Sequence, residues 1–304
     1  MKQKKWFGPV CVMALVLLLV PVSISAVSED DVRAMMTTMN DQLAAMGESI
    51  QLAEVEIHTD LEGGEPGQII YYNNRTLQSG SHWVPGDPRR GGYWDISWLS
   101  DMVEGTANGI TQADTQAAVD RAMNTWNTTD CAVIPLTRLP DYGIDWGYVQ
   151  YLTGFGGVPG WYADITQAGW MPQAFFDYLF GPGNSVLGVT YTFIWIDTTT
   201  GQPTDIDNNG KRDVAFREVY YNNKYVWGID YPTHYPIDVE TIVLHENGHS
   251  LSMGHFGKLF RASDGKLKFA PQAVMNAGYV YPQQELLGTD NAAFCSIWSS
   301  WPNN

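Results

Sequence analysis

The chain has 304 residues, a formal net charge of −16, and is 44% hydrophobic and 13% aromatic. That composition excludes a disordered linker and supplies core for one large domain, with or without an appendage. The acidic balance argues against nucleic acid and anionic membrane surfaces as partners.

The N-terminus reads as an export signal. Lys2, Lys4 and Lys5 form a basic start, residues 10–20 an apolar run, and Ser23-Ile24-Ser25-Ala26 a small-residue cleavage site. The run is short and early for a membrane span; an uncleaved anchor is the alternative. Residues 1–26 are therefore predicted to be a signal peptide, and the mature protein to be secreted or extracytoplasmic with no stable span. Its loss removes three lysines and no acid, taking the charge from −16 to −19. Two cysteines remain, Cys131 and Cys295. In an oxidising compartment they can close one disulfide; two buried thiols are the alternative.

Residues 29–47 place Val32, Met35, Met36, Met39, Leu43 and Met46 at helical spacing. Residues 50–58 alternate as a strand through Ile50, Leu52, Val55 and Ile57, with one slip. A turn at 63–67 and a second strand at 68–72 follow. The loop at 85–92, with Arg89 and Arg90, marks a boundary near residue 90. Residues 27–90 then read as a pro-segment or small subdomain, and 91–304 as the main domain. Residues 93–99 read as its first strand. Thr111 is an N-cap for a helix to about Asn127, with Ala118, Ala122 and Trp126 inward. Residues 138–184, rich in Gly, Trp, Tyr and Phe, read as an aromatic surface loop or cleft wall. Residues 185–197 are the clearest strand, alternating Leu187, Val189, Tyr191, Phe193 and Trp195. Residues 221–225 read as a hairpin turn.

Residues 205–213, Asp-Ile-Asp-Asn-Asn-Gly-Lys-Arg-Asp, match alternate positions of an EF-hand loop. Asp205, Asp207, Asn209 and Asp213, with the Lys211 backbone carbonyl, are candidate ligands for Ca²⁺. The flanks are strands and Phe216 stands where an EF-hand has its bidentate Glu, so the reading is a calcium loop between strands. An Asn-Gly turn without an ion is the alternative.

Residues 245–255 read HENGHSLSMGH and hold three of the six histidines. His245 and His249, one turn apart on a helix, leave the same face and can share one Zn²⁺. Asp238 is an N-cap for that helix. Glu246 adjoins the first ligand and is placed to act as a general base. His255 is the candidate third ligand, which leaves a position open for catalysis. On a continuing helix it would point about 240° away from the other two, so the chain must turn before it. His234 or an acidic residue is the competing third ligand.

This stretch resembles the zinc-binding motif of the metzincin clan of zinc peptidases, in its matrixin-like branch. Ala273-Val274-Met275-Asn276 resembles the clan's Met-turn, with Met275 beneath the metal. Residues 285–293 resemble the closing helix of matrixin domains and 117–126 their first helix; the likeness covers roughly 92–304. It implies an α+β fold: a metzincin-like catalytic domain with a twisted mixed sheet, a long N-terminal helix and a zinc-binding helix, beside a small N-terminal region. It implies a secreted zinc endopeptidase acting on protein or peptide, and casts 185–197 as the edge strand that pairs with extended substrate. Two departures stand out. Ser252 occupies the position of the family's helix-ending glycine, so Gly254 is expected to make the turn. The longer gap to Met275 predicts an inserted loop around 258–268. The rival reading is a non-catalytic exported binding or adhesion protein held by metal on the same fold, which would have no use for Glu246.

Overall fold

The computed structural model describes residues 27–303 apart from 63–64, 73–79 and 133. The predicted signal peptide and part of the predicted 63–67 turn lie outside the described residues. In chain order the elements are α1 (Glu29–Met46), β1 (Ile50–Asp60), β2 (Ile69–Tyr71), β3 (Ser81–His82), β4 (Ile96–Ser100), α2 (Gln112–Asn127), β5 (Leu136–Arg138), α3 (Tyr148–Thr153), β6 (Ile165–Met171), α4 (Gln173–Phe180), β7 (Val186–Asp197), β8 (Gln202–Pro203), β9 (Arg212–Asn222), β10 (Trp227–Gly228), β11 (Ile237–Asp238), α5 (Val239–Ser250), β12 (Lys258–Arg261), β13 (Leu267–Ala270), β14 (Gly278–Tyr279) and α6 (Gly288–Trp298).

These build an α+β fold around one mixed sheet in the order β14-β1-β7-β9-β6-β4-β5. Strands β5, β4, β6 and β9 run parallel, β7 is antiparallel to β9, and β1 is antiparallel to β7. Both faces of the sheet are covered, which is why β7 and β9 are buried almost end to end. On one face α2, α5 and α6 enclose a core that includes Trp126, Ile242 and Trp298. On the other, α1, α3 and α4 enclose Met36, Tyr148 and Phe176. Among the described residues no helix is long and apolar enough to cross a membrane.

Local signals explain the elements that position the site. Thr111 caps α2 by accepting from the Asp114 N–H, and Ala118, Ala122 and Trp126 point inward. Asp238 caps α5 through the Thr241 N–H at 2.8 Å. In α1, Val32, Met36, Met39 and Leu43 are buried, while Met46 is 41% exposed. The segment after His255, expected as a loop around 258–268, forms the antiparallel pair β12–β13.

Four expectations are corrected. Strand β7 is not an edge. It pairs with β9 on one side and with β1 on the other, from Ile50 opposite Trp195 to Thr59 opposite Val186. Apolar Leu52, Val55 and Ile57 bury β1 there more favourably than solvent would. Residues 138–184 are not a surface loop. They contain α3, β6 and α4, and only a minority of their aromatics, such as Tyr142 and Tyr178, face solvent. The 221–225 turn makes no hairpin, because the next strand, β10, pairs with β11 instead. Gly254 does not supply the left-handed turn; Ser252 does, with φ +65°.

Residues 27–90 share both cores with the rest of the chain: Val32 to Ile70 enter one, and Trp83 the other.

Candidate metal centre

Helix α5 is buried along its whole length, and it presents His245 and His249 on one face. Their Nε2 atoms are 3.1 Å apart. His255 returns to them, its Nε2 3.1 Å from that of His245 and 3.0 Å from that of His249. The return follows from how α5 ends. The Ser252 N–H donates to the His249 carbonyl and the Met253 N–H to the Gly248 carbonyl, the paired bonds of a Schellman cap. A left-handed serine is costly. Here its Oγ accepts from Arg217 Nη2 at 3.2 Å and lies 3.3 Å from His82 Nδ1. Buried Arg217 also donates to the His249 carbonyl, so one guanidinium fastens both sides of the turn.

The rings are oriented from behind. His245 Nδ1 is 2.7 Å from the Val274 carbonyl and His249 Nδ1 is 2.8 Å from the Met253 carbonyl. A carbonyl can only accept, so each Nδ1 carries the proton and each Nε2 is left with a bare lone pair. Burial pushes the His245 imidazole down to about 4. Burial, and then the neighbouring imidazoles, hold His249 and His255 well below the ordinary value. Neutral imidazole is the form that binds metal.

Val274 and Met275 pack against α5. Asp290 accepts from the N–H groups of Val274 and Met275 at 2.9 and 3.2 Å, fixing the loop that carries the Val274 carbonyl. Met275 is fully buried. It lies against Gly248, where any Cβ would collide with its sulfur.

Glu246 is fully buried on the sheet side of α5. Its Oε2 accepts from Thr190 Oγ1 at 2.7 Å, while Oε1 has no hydrogen-bond partner. Burial pushes its carboxyl up to about 8, against the Thr190 bond. Gly188, next along β7, leaves the space the carboxylate occupies.

His58 on β1 completes the cluster. Its ring stacks on His245 with centroids 3.7 Å apart and planes at 20°, and His58, His245 and Glu246 form a second group of close ligand atoms. Sequence reasoning missed His58, Thr190, Gly188 and Arg217. The signal for His58 was present: Glu54, Glu56, His58 and Asp60 recur at period 2, alternating with Val55 and Ile57. Beside the centre opens a cavity of about 860 Å³, lined by His58, Phe260, Phe269, Tyr279 and Tyr281 among others.

His234 is not among the three. It is held by Asp60 at 2.9 Å and the Val280 carbonyl at 2.7 Å. In the predicted calcium loop, carboxylate oxygens of Asp205, Asp207 and Asp213 lie within 4.8 Å of one another. Asn209 instead donates to Asp207 and accepts from the Lys211 N–H. Cys131 and Cys295 form a disulfide, with Cα atoms 5.6 Å apart, tying the segment after α2 to α6.

No protein-family model matches this chain, and no curated protein matches it.

Proposed function

We propose that the protein is an exported zinc-dependent endopeptidase of metzincin-like, matrixin-like type, hydrolysing protein or peptide substrates. One observation carries the reading: three buried imidazole Nε2 atoms converge at 3.0–3.1 Å from one another. The bare lone pairs of His245 and His249 face each other there and repel unless a cation lies between them. Their spacing suits ligands of one ion at the 2.0–2.1 Å typical of zinc–nitrogen bonds. His245, His249 and His255 would hold it, with Met275 beneath.

Zinc, when bound, supplies Lewis acidity toward the substrate carbonyl and the reacting water. Glu246 takes the proton from that water and later delivers it to the leaving amine nitrogen, so the base is regenerated. Thr190 fixes one carboxylate oxygen and leaves the other for the proton. The aromatic wall of the adjoining cavity suits an apolar substrate side chain. Calcium in the 205–213 loop is proposed as a second, structural ion.

One observation favours a second reading. The sheet edge expected to pair with substrate is covered by β1, as in a non-catalytic protein that keeps the metal for stability. A broad peptide library, incubated with zinc-loaded protein, with chelated protein and with Glu246→Gln, separates the two. Cleavage that needs both zinc and Glu246 supports the peptidase. Bound zinc with no cleavage of any peptide rejects it.

A further inference from the structure

Two polar atoms at the centre stand without a partner, and they face each other. His58 Nδ1 and Glu246 Oε1 are 4.0 Å apart. Both are buried and neither makes a hydrogen bond. A gap of 4.0 Å is too long for a direct bond, and a buried unpaired polar atom is costly. One small polar guest between them satisfies both.

Both atoms are fixed. The His58 ring is clamped by its stack on His245. A neutral ring protonated on Nε2 offers a lone pair at Nδ1. Glu246 Oε2 is committed to Thr190, so Oε1 is the oxygen left over. With Glu246 ionised, the state a general base requires, a water oxygen about 2.8 Å from both acceptors would see them roughly 90° apart, close to its own H–O–H angle. Gly188 keeps the neighbourhood open, since a Cβ there would lie 2.6 Å from Oε1.

We propose that His58, supplied by the N-terminal strand, is the second protein group on the reacting water. One O–H points to Glu246 Oε1 and the other to His58 Nδ1, which turns the oxygen lone pairs toward the electrophile. This rests on the peptidase reading for its chemistry. In the attack the water oxygen bonds to the peptide carbonyl carbon and one proton moves to Glu246. When the C–N bond breaks, that proton passes to the leaving nitrogen. His58 gains and loses no proton; it orients the nucleophile.

The test uses the full mature chain and has a structural and a kinetic arm. A high-resolution crystal structure is expected to hold an ordered water within hydrogen-bond distance of both atoms. His58→Phe keeps the stack on His245 and removes Nδ1; it should lose that water and lower kcat by about 10- to 100-fold, with KM and zinc stoichiometry unchanged. His58→Asn, whose Oδ1 falls near the Nδ1 position, should restore the water and most of kcat. An empty gap in the parent structure, or full kcat in His58→Phe, overturns the proposal. If His58→Phe does not fold, the parent structure and His58→Asn decide. A parent protein that cleaves no peptide sinks the peptidase reading alone, because the water is read independently of activity.

Discussion

Gly188 on β7 stands so close to Glu246 on α5 that a Cβ at this glycine would lie 2.6 Å from Oε1 and 3.0 Å from the Cδ and Cγ atoms. The carboxylate is fully buried and pinned on its other side by Thr190, so it has little room to yield. Gly188→Ala should displace the base without touching the three imidazoles. The expected outcome is a kcat at least about tenfold lower, part of the 10²–10⁴-fold worth of a general base, with zinc content unchanged. Steady-state kinetics beside metal analysis of the purified variant checks this. Unchanged kcat would show that Glu246 can relocate freely.

The parts of this site visible in the sequence were local. Asp238, the His245/His249 spacing and the Thr111 cap each depend on residues within one helical turn, where geometry is fixed by the backbone. The pairing of β1 with β7 was not visible, because it joins residues more than 120 apart and alternation alone does not choose a partner. The same gap hid His58, whose meaning depends on which strand it lies beside. Ser252 failed for a different reason. Its propensity disfavours a left-handed turn, but tertiary bonds from Arg217 offset the local cost.

Residues 27–90 supply β1 and its polar row. Glu54 pairs with Arg212, Glu56 accepts from Thr192, and His58 stacks on His245. Deleting them would bare one edge of β7 and open both cores. A 91–304 fragment should therefore lack a cooperative unfolding transition, whereas the 27–304 chain should show one. A folded and active 91–304 fragment would instead mark the segment as a removable pro-segment.

Ser252 sets a strain against a bond. Glycine there would relieve a left-handed conformation costing about 1–2 kcal/mol. It would also strip Arg217 Nη2 of a partner, at about 1–3 kcal/mol for a buried donor. Alanine loses the bond and keeps the strain. Denaturant midpoints measured with metal chelated should rank parent and Ser252→Gly close together, and Ser252→Ala about 1–3 kcal/mol below the parent. Equal stability of all three would show that the Arg217 contact contributes nothing.

Asp60 and His234 make a pH-dependent clasp. For His234, burial opposes the charge, but bonds to Asp60 and the Val280 backbone outweigh it and raise its pKa above 6.5. For Asp60, burial is outweighed by bonds from His234 and Tyr235, which lower it below 3.8. A raised imidazole stabilises fully below its unfolded value, and that contribution fades as pH rises through the folded value. A lowered carboxyl stabilises above its unfolded value, and that contribution fades as pH falls through the folded one. The pair therefore contributes most between about 4 and 6.5. His234→Gln should destabilise the protein more at pH 5.5 than at pH 8.5. A pH-independent difference in unfolding midpoint would dismiss the clasp.

Calcium proposed for the 205–213 loop would compete with an internal cation. Asp213 accepts from Arg89 Nη2 at 2.8 Å and from Thr204 Oγ1 at 2.6 Å. Asp87 holds the same guanidinium through a further bond at 2.7 Å. The loop still has charge to spare: burial, and then Asp213 and Asp205, raise the Asp207 carboxyl, so a divalent ion among the three would relieve like-charge crowding. Calcium should raise the melting temperature of the parent protein, by an amount equivalent to about 2.7 kcal/mol at a hundredfold excess over Kd. Asp207→Ala should abolish that increment. Arg89→Ala should lower stability without calcium and tighten calcium binding, because Asp213 is freed from its present partner. Calorimetry of the three proteins, with and without the ion, reads all of this. No calcium response in either the parent or Arg89→Ala would leave the loop an Asn-Gly turn closed by Arg89.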